Sequence, residues 1–140
     1  MTGDIPDGFE RHFRKSPATD PWEPLYSRRD AGVVQIGLRV REAHCNGKGF
    51  LHGGVLAALA DNAMGLSWGA ARTPASQAER PGVTAALSID YLASARPGQW
   101  VAFEPRVLKT SGSTGVVDAL VRADGVVIAR ANATYRVPAA

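Results

Sequence analysis

A single cysteine, Cys45, occurs in 140 residues. One thiol closes no internal disulfide, so the fold must rest on a packed core, as expected in a reducing compartment. No apolar run approaches the ~20 residues that span a bilayer, and the N-terminal MTGDIPDGFERHF lacks the apolar segment of a secretory signal. The expectation is a cytoplasmic protein with no membrane partner. Concentrated positive charge is also missing. The 16 Lys and Arg outnumber the 13 Asp and Glu by three, yet they are scattered and not interleaved with aromatics. That argues against nucleic acid as a partner and leaves room for a small anionic ligand. No second cysteine or ligand cluster at metal spacing accompanies His44, Cys45 and His52, so neither a metal nor a Cys/His nucleophile is expected. Trp22, Trp68 and Trp100 are most simply packing residues.

What is present suits one soluble domain: 45% hydrophobic and 21% charged residues, with no repeat and no dividing linker. Residues 1–31 read as an N-terminal extension. Phe9 to Lys15 suggests a short amphipathic helix, and SPATDPWEP a turn-rich connector. Residues 32–140 read as the main domain. GVVQIGLRV (32–40) alternates like a half-buried strand, and the glycine-rich EAHCNGKGFL leads into a helix from Gly53 to about Ala71. PASQAERPG ends that helix in a loop. Four strand-like runs follow: VTAALSIDY, WVAFEPRVLK, STGVVDALVRA and VVIARANATYRV. In the first, Val83, Ala85, Leu87, Ile89 and Tyr91 alternate with Thr84, Ser88 and Asp90. Asp124-Gly125 joins the last two as a two-residue hairpin. The fold class is α+β, an antiparallel sheet wrapped around one long central helix.

The helix contains the one residue that does not fit its surroundings. At 100° per residue, Leu56, Leu59, Ala63 and Leu66 form a stripe for the sheet, while Ala57, Ala58, Asp61, Gly65 and Trp68 lie opposite. This second face is small and nearly uncharged, so it too needs cover, and a second subunit is the economical one. Asp61 sits two turns inside it. A carboxylate out of water costs several kcal/mol unless paired or used, so Asp61 is either a hydrogen-bonded structural residue or a catalytic one. Gly53-Gly54 opens the helix. Its free N–H groups form an anion site, or merely a tight turn. Eight residues at 1.5 Å each separate Asp61 from Gly53 by about 12 Å. One chain cannot aim both at the same atom, whereas two antiparallel helices across a two-fold axis can.

Asn46, the run HGGVLAALAD (His52 to Asp61) and GVTAALSIDYLASARPG (82–98) together resemble the hotdog-fold acyl-CoA thioesterases of the phenylacetic-acid-degradation (PaaI-like) group, over about Val33 to Val137. The resemblance implies a sheet continued across a homodimer, itself pairing into a dimer of dimers, with the site between protomers. It implies hydrolysis of an acyl-CoA thioester, aromatic acyl groups included, to free acid and CoA. Asp61 would be general base or nucleophile and the Gly53 N–H would polarise the carbonyl. Asn46 would hold the carbonyl or the water, and His52 would position the group. Thr84, where many relatives carry Ser, would assist Asp61. Gly54, Ala85, Lys109 and Ser111 are candidate substrate contacts. KTSGSTG lacks the phosphate-loop signature and reads as a hairpin turn, yet the loop with Lys109 and Ser111 is a candidate contact for the CoA phosphates. No cofactor is implied, since CoA enters with the substrate.

The chemistry is coherent in its own right. An oxyanion at a helix N-terminus gains roughly 3–4 kcal/mol per donor, and a carboxylate in a dry site is poised to take a proton from water. Two other readings stay open at this level: a non-catalytic acyl-CoA-binding module on the same fold, and a hotdog hydro-lyase using His52.

Overall fold

The computed structural model describes residues 4–72 and 81–138. Among them are seven strands: β1 (Glu10–Arg11), β2 (Tyr26–Asp30), β3 (Val33–Arg39), β4 (Val83–Tyr91), β5 (Trp100–Lys109), β6 (Thr114–Ala123) and β7 (Val126–Arg136). All pair antiparallel in one sheet of order β1-β2-β3-β5-β6-β7-β4. One α-helix, α1 (Gly53–Ala71), lies against it, mainly over β3, β5 and β6. This is the hotdog fold, and α1 has the bounds expected from the sequence. No helix among the described residues is long and apolar enough to cross a membrane. Most of the loop at PASQAERPG lies outside the described residues.

The β5 and β6 strands alternate buried and open positions, which fixes their register on the core. The β6–β7 turn takes Asp124 at φ 47° and Gly125 at φ 85°. Both values belong to the left-handed region that a type I′ hairpin demands, and Asp and Gly enter it at least cost.

Two expectations need correction. Phe9 to Lys15 is not helical: Glu10–Arg11 pairs with Tyr26–Ser27 instead, and the His12 N–H donates to the Leu25 carbonyl. Phe9 packs edge-on against Trp100 at 5.2 Å and under the Arg28 guanidinium, so tertiary contacts override a weak local pattern. The sheet therefore takes β1 and β2 from the first 31 residues, YSRRD included, which no hydrophobic alternation announces.

The second correction concerns the faces of α1. Leu56, Leu59 and Ala63 are buried as expected, but so are Ala60, Met64, Ser67 and Trp68, while Leu66 is only half-buried. From Val55 round to Trp68 the buried arc covers roughly 220° at 100° per residue. The sheet curls around more than one side of the helix. What remains uncovered is a narrower strip holding Ala58, Asp61, Asn62, Gly65 and Gly69. Its only charged residue is Asp61.

His44 is fully buried beside this core. Its Nδ1 accepts from the Arg41 N–H at 3.0 Å, and Nε2 donates to the Trp22 carbonyl at 2.8 Å. Both ring nitrogens are thus engaged by protein. Burial pushes the pKa of His44, and of the equally buried His12, below the usual 6.5. The folded state favours the neutral rings, so their contribution is complete above the unfolded value and is lost as pH falls from there toward the lowered folded values. Thermal unfolding should show Tm falling as pH drops from about 7 to about 5, with a shallower slope in His44→Gln. An unchanged slope in that variant would remove His44 from the acid response.

Candidate active site

The central feature is a bulge in β4. Thr84 pairs with Tyr135 and Ala86 with Thr134, so Ala85 is the extra residue between them. Alternation along VTAALSIDY therefore breaks at Ala85. Thr84 moves to the helix-facing side, which beyond the bulge also carries Ile89 and Tyr91. Strict alternation over Val83 to Tyr91 placed Thr84 on the opposite face, and that expectation is corrected by the bulge. Ala85 itself does not line the cleft.

Because of this shift the Thr84 hydroxyl reaches Asp61, at 3.0 Å from Oδ1 and 3.1 Å from Oδ2. The Tyr135 hydroxyl, on β7, lies 2.8 Å from Asp61 Oδ1 and 2.9 Å from the Asp61 carbonyl oxygen. Burial, with the Asp61 charge and hydrogen bond added, drives the Tyr135 pKa far above the phenol range, so the hydroxyl stays a donor. Oδ1 thus faces two hydroxyls, while Oδ2 meets Thr84 alone. Tyr135 was missed from the sequence. Its only signal was a Tyr near the end of the last strand, with nothing to show that β7 lies beside β4.

Tyr135 is held in turn. Its ring stacks on Trp68, centroids 5.4 Å apart and planes 15° from parallel. Trp68 is buried against Gly82 and Gly115, where an added Cβ would come within 2.0 and 2.1 Å of the indole. Trp68 was assigned to the face opposite the sheet; it belongs to the core that braces Tyr135.

The start of α1 forms a separate cluster. His52 is its N-cap, with Nδ1 accepting the Gly54 N–H at 2.8 Å. Gly54 therefore spends its donor inside the chain. Among the described residues no acceptor takes the Gly53 N–H. The Tyr91 hydroxyl donates to the Gly53 carbonyl at 2.5 Å, with its ring against the glycine. Asn46 Oδ1 accepts the N–H groups of Lys48 at 2.9 Å and Phe50 at 3.2 Å, shaping the loop before the helix. Asn46, His52 and Gly53 are thus assembled near one end of α1, and Asp61, Thr84 and Tyr135 further along it.

Lys109 and Ser111 lie apart from both. The Lys109 ammonium donates to the Ser111 carbonyl at 2.6 Å and to Thr114 Oγ1 at 2.9 Å, tying the β5–β6 turn as the hairpin reading of KTSGSTG anticipated. A cleft of about 520 Å³ opens at Asp61 and Thr84 and passes Gly65, Trp68 and Tyr135.

The thioesterase superfamily model matches residues 48–130, which span α1 and most of the sheet. A Pseudomonas aeruginosa protein that carries the name of an esterase is 33% identical over 135 residues, covering 96% of this chain and 98% of its own. Human acyl-coenzyme A thioesterase 13 is 31% identical over 105 residues, 74% of this chain and 71% of its own. Among solved structures, a Streptococcus mutans protein bound to acetyl-CoA is 29% identical with a TM-score of 0.68, covering 76% of this chain and 82% of that one. The chain belongs to the thioesterase superfamily.

The Trp68 brace makes one test. In Gly115→Ala the new methyl collides with a rigid buried ring rather than a flexible side-chain end, and such overpacking costs about 1–3 kcal/mol. A clear drop in Tm is expected by calorimetry. A Tm equal to that of the parent would show that Trp68 relaxes freely.

Proposed function

We propose that the protein hydrolyses an acyl-CoA thioester to the free acid and CoA, with each active site shared by two protomers. The observation that carries this reading is the Asp61 carboxylate, held by the Thr84 and Tyr135 hydroxyls where it lines the cleft. Membership of the thioesterase superfamily and the acetyl-CoA complex of the Streptococcus mutans relative support the substrate class.

In this reading Asp61 acts as general base. It takes a proton from water as the water oxygen bonds to the thioester carbonyl carbon, and the carbonyl electron pair moves onto oxygen. The Gly53 N–H of the other protomer, at a helix N-terminus, receives that oxyanion. Collapse re-forms the carbonyl and breaks the C–S bond. The leaving thiolate takes the proton back from Asp61, so the balance is one water consumed and one thiol released. Asn46 directs its side-chain N–H groups, unoccupied by any described acceptor, at the carbonyl oxygen. His52 keeps the helix start in place by holding Gly54. Its Nδ1 is thereby committed to the cap, which leaves only Nε2 for any chemistry of its own.

The shared site follows from distance. Gly53 and Asp61 lie about 12 Å apart on one rigid helix, too far to address one carbonyl. The sheet supplies the means of pairing. β4 is a nine-residue edge strand, and Val83, Leu87 and Tyr91 along it, with Leu92 just past its end, are exposed by 39–62%. Such an edge, long and apolar, invites a second copy of itself. An antiparallel β4–β4 contact continues the sheet and brings the helices together across a two-fold axis.

Two experiments test the reading. Asp61→Asn, nearly isosteric, should keep the fold and lose on the order of 10²–10⁴ in turnover, measured by thiol release from a panel of acyl-CoA thioesters. Near-native turnover in folded protein would take Asp61 out of the mechanism, and thiol release by the parent excludes a binding module. The second experiment unfolds and refolds Asn46→Ala and Asp61→Asn together. Half of the random pairs are mixed, each with one intact site in two, so about a quarter of parental activity should return. Mixed dimers verified by mass spectrometry yet inactive would place the site within a single chain.

A further inference from the structure

The cleft that opens at Asp61 runs on along the uncovered strip of α1 toward its C-terminal end. Asp61, Gly65, Gly69 and Arg72 line it at intervals of four, four and three residues, and so share one helical face. The two glycines leave the groove a floor of bare backbone between carboxylate and arginine. At the far end stand Arg14 and Arg29 together with Arg72, whereas Asp61 is the sole carboxylate among the described lining residues.

The position of Arg29 can be read from the register. It lies opposite Val34, whose N–H and carbonyl both bond the Ser67 hydroxyl, at 2.9 and 3.2 Å. Arg29 is therefore level with Ser67, roughly 9 Å along the helix from Asp61, and Arg72 is roughly 16 Å along it. The Arg29 guanidinium lies over the Phe13 ring at 4.8 Å, which orients its plane while its N–H edge stays available. Neither Arg14 nor Arg29 forms an ion pair among the described residues.

An acyl chain anchored by its thioester at Asp61 and laid along this groove reaches the arginines with its far end. An apolar end offers the exposed Arg14 and Arg29 guanidinium groups no partner. A carboxylate end forms charge-assisted, bidentate hydrogen bonds with them. Building on the thioesterase reading, we propose that the cleft selects acyl groups ending in an anion, such as the mono-CoA thioester of a medium-chain dicarboxylic acid, with Arg29 and Arg14 holding the distal carboxylate. The CoA phosphates are the other source of the same chemistry, and the test separates the two.

Thiol release is measured from suberoyl-CoA and octanoyl-CoA, equal in chain length and different only in the terminal carboxylate, with the parent protein and with Arg14→Gln/Arg29→Gln. Both arginines are exposed, so the substitutions spare the core. The parent should prefer suberoyl-CoA by about tenfold in kcat/KM, and the double variant should lose that preference through a raised KM while octanoyl-CoA stays within about twofold. Equal slowing of both substrates would assign the arginines to the CoA phosphates and overturn the proposal. So would a parent that favours octanoyl-CoA or treats the two alike. Release of no thiol from any acyl-CoA would instead sink the thioesterase reading, and this proposal with it.

Discussion

Everything at this site depends on seating a carboxylate in a helix made mostly of small and apolar residues. Asp61 lies on the strip that the curled sheet leaves open, yet its nearest surroundings are alanine, glycine and aromatic rings. Two hydroxyls make it tolerable there, and they come from strands 51 residues apart in sequence. The same bonds also orient the carboxylate, which Thr84 meets on both oxygens and Tyr135 on one, where it lines the cleft. Stability and orientation are here one set of contacts.

Those contacts rest on packing further out. Tyr135 reaches Asp61 because its ring lies flat on Trp68, and Trp68 fits because Gly82 and Gly115 present no side chain to it. Thr84 reaches Asp61 because one extra residue in β4 rotates it to the helix side. A bulge without the stack leaves Asp61 with one donor, and a stack without the bulge does the same. The two devices lie on neighbouring strands, where Thr84 and Tyr135 are register partners, so a single point of the sheet delivers both hydroxyls.

Much of this was legible in the sequence, and the limits have physical causes. The helix bounds and the four strands after it follow from strong periodicity and a two-residue turn. Asp61 stood out because it contradicted its own helix face. The resemblance brought in Thr84, Asn46 and His52, and the structure sets Thr84 against Asp61. Tyr135 was hidden because its role comes from long-range pairing between β4 and β7, which no local pattern encodes. β1 and β2 were missed for a similar reason: short, polar strands are held by their neighbours rather than by their own alternation. The bulge at Ala85 leaves no mark in a stretch of small residues, so alternation counted across it put Thr84 on the wrong face. Trp68 was misplaced because the curl of a sheet around a helix is a property of the whole sheet.

The β4 strand joins these levels. It runs beside α1 and touches it at two points, Thr84 at Asp61 and Tyr91 at the Gly53 carbonyl. Both ends of this half of the helix are thus tied to the same edge strand, whose outer side has no partner among the described residues. If a second copy pairs there, the contact that completes the sheet also fixes the spacing of Asp61 in one protomer from Gly53 in the other. A slip of one residue in that pairing would leave Thr84 and Tyr91 facing their own helix, because β7 sets their side, but would put the partner's helix on the opposite face of the continued sheet, since side chains alternate with a period of two. The register of such a shared edge would therefore decide whether the two helices meet on one side of the sheet, and a site built from both would depend on it.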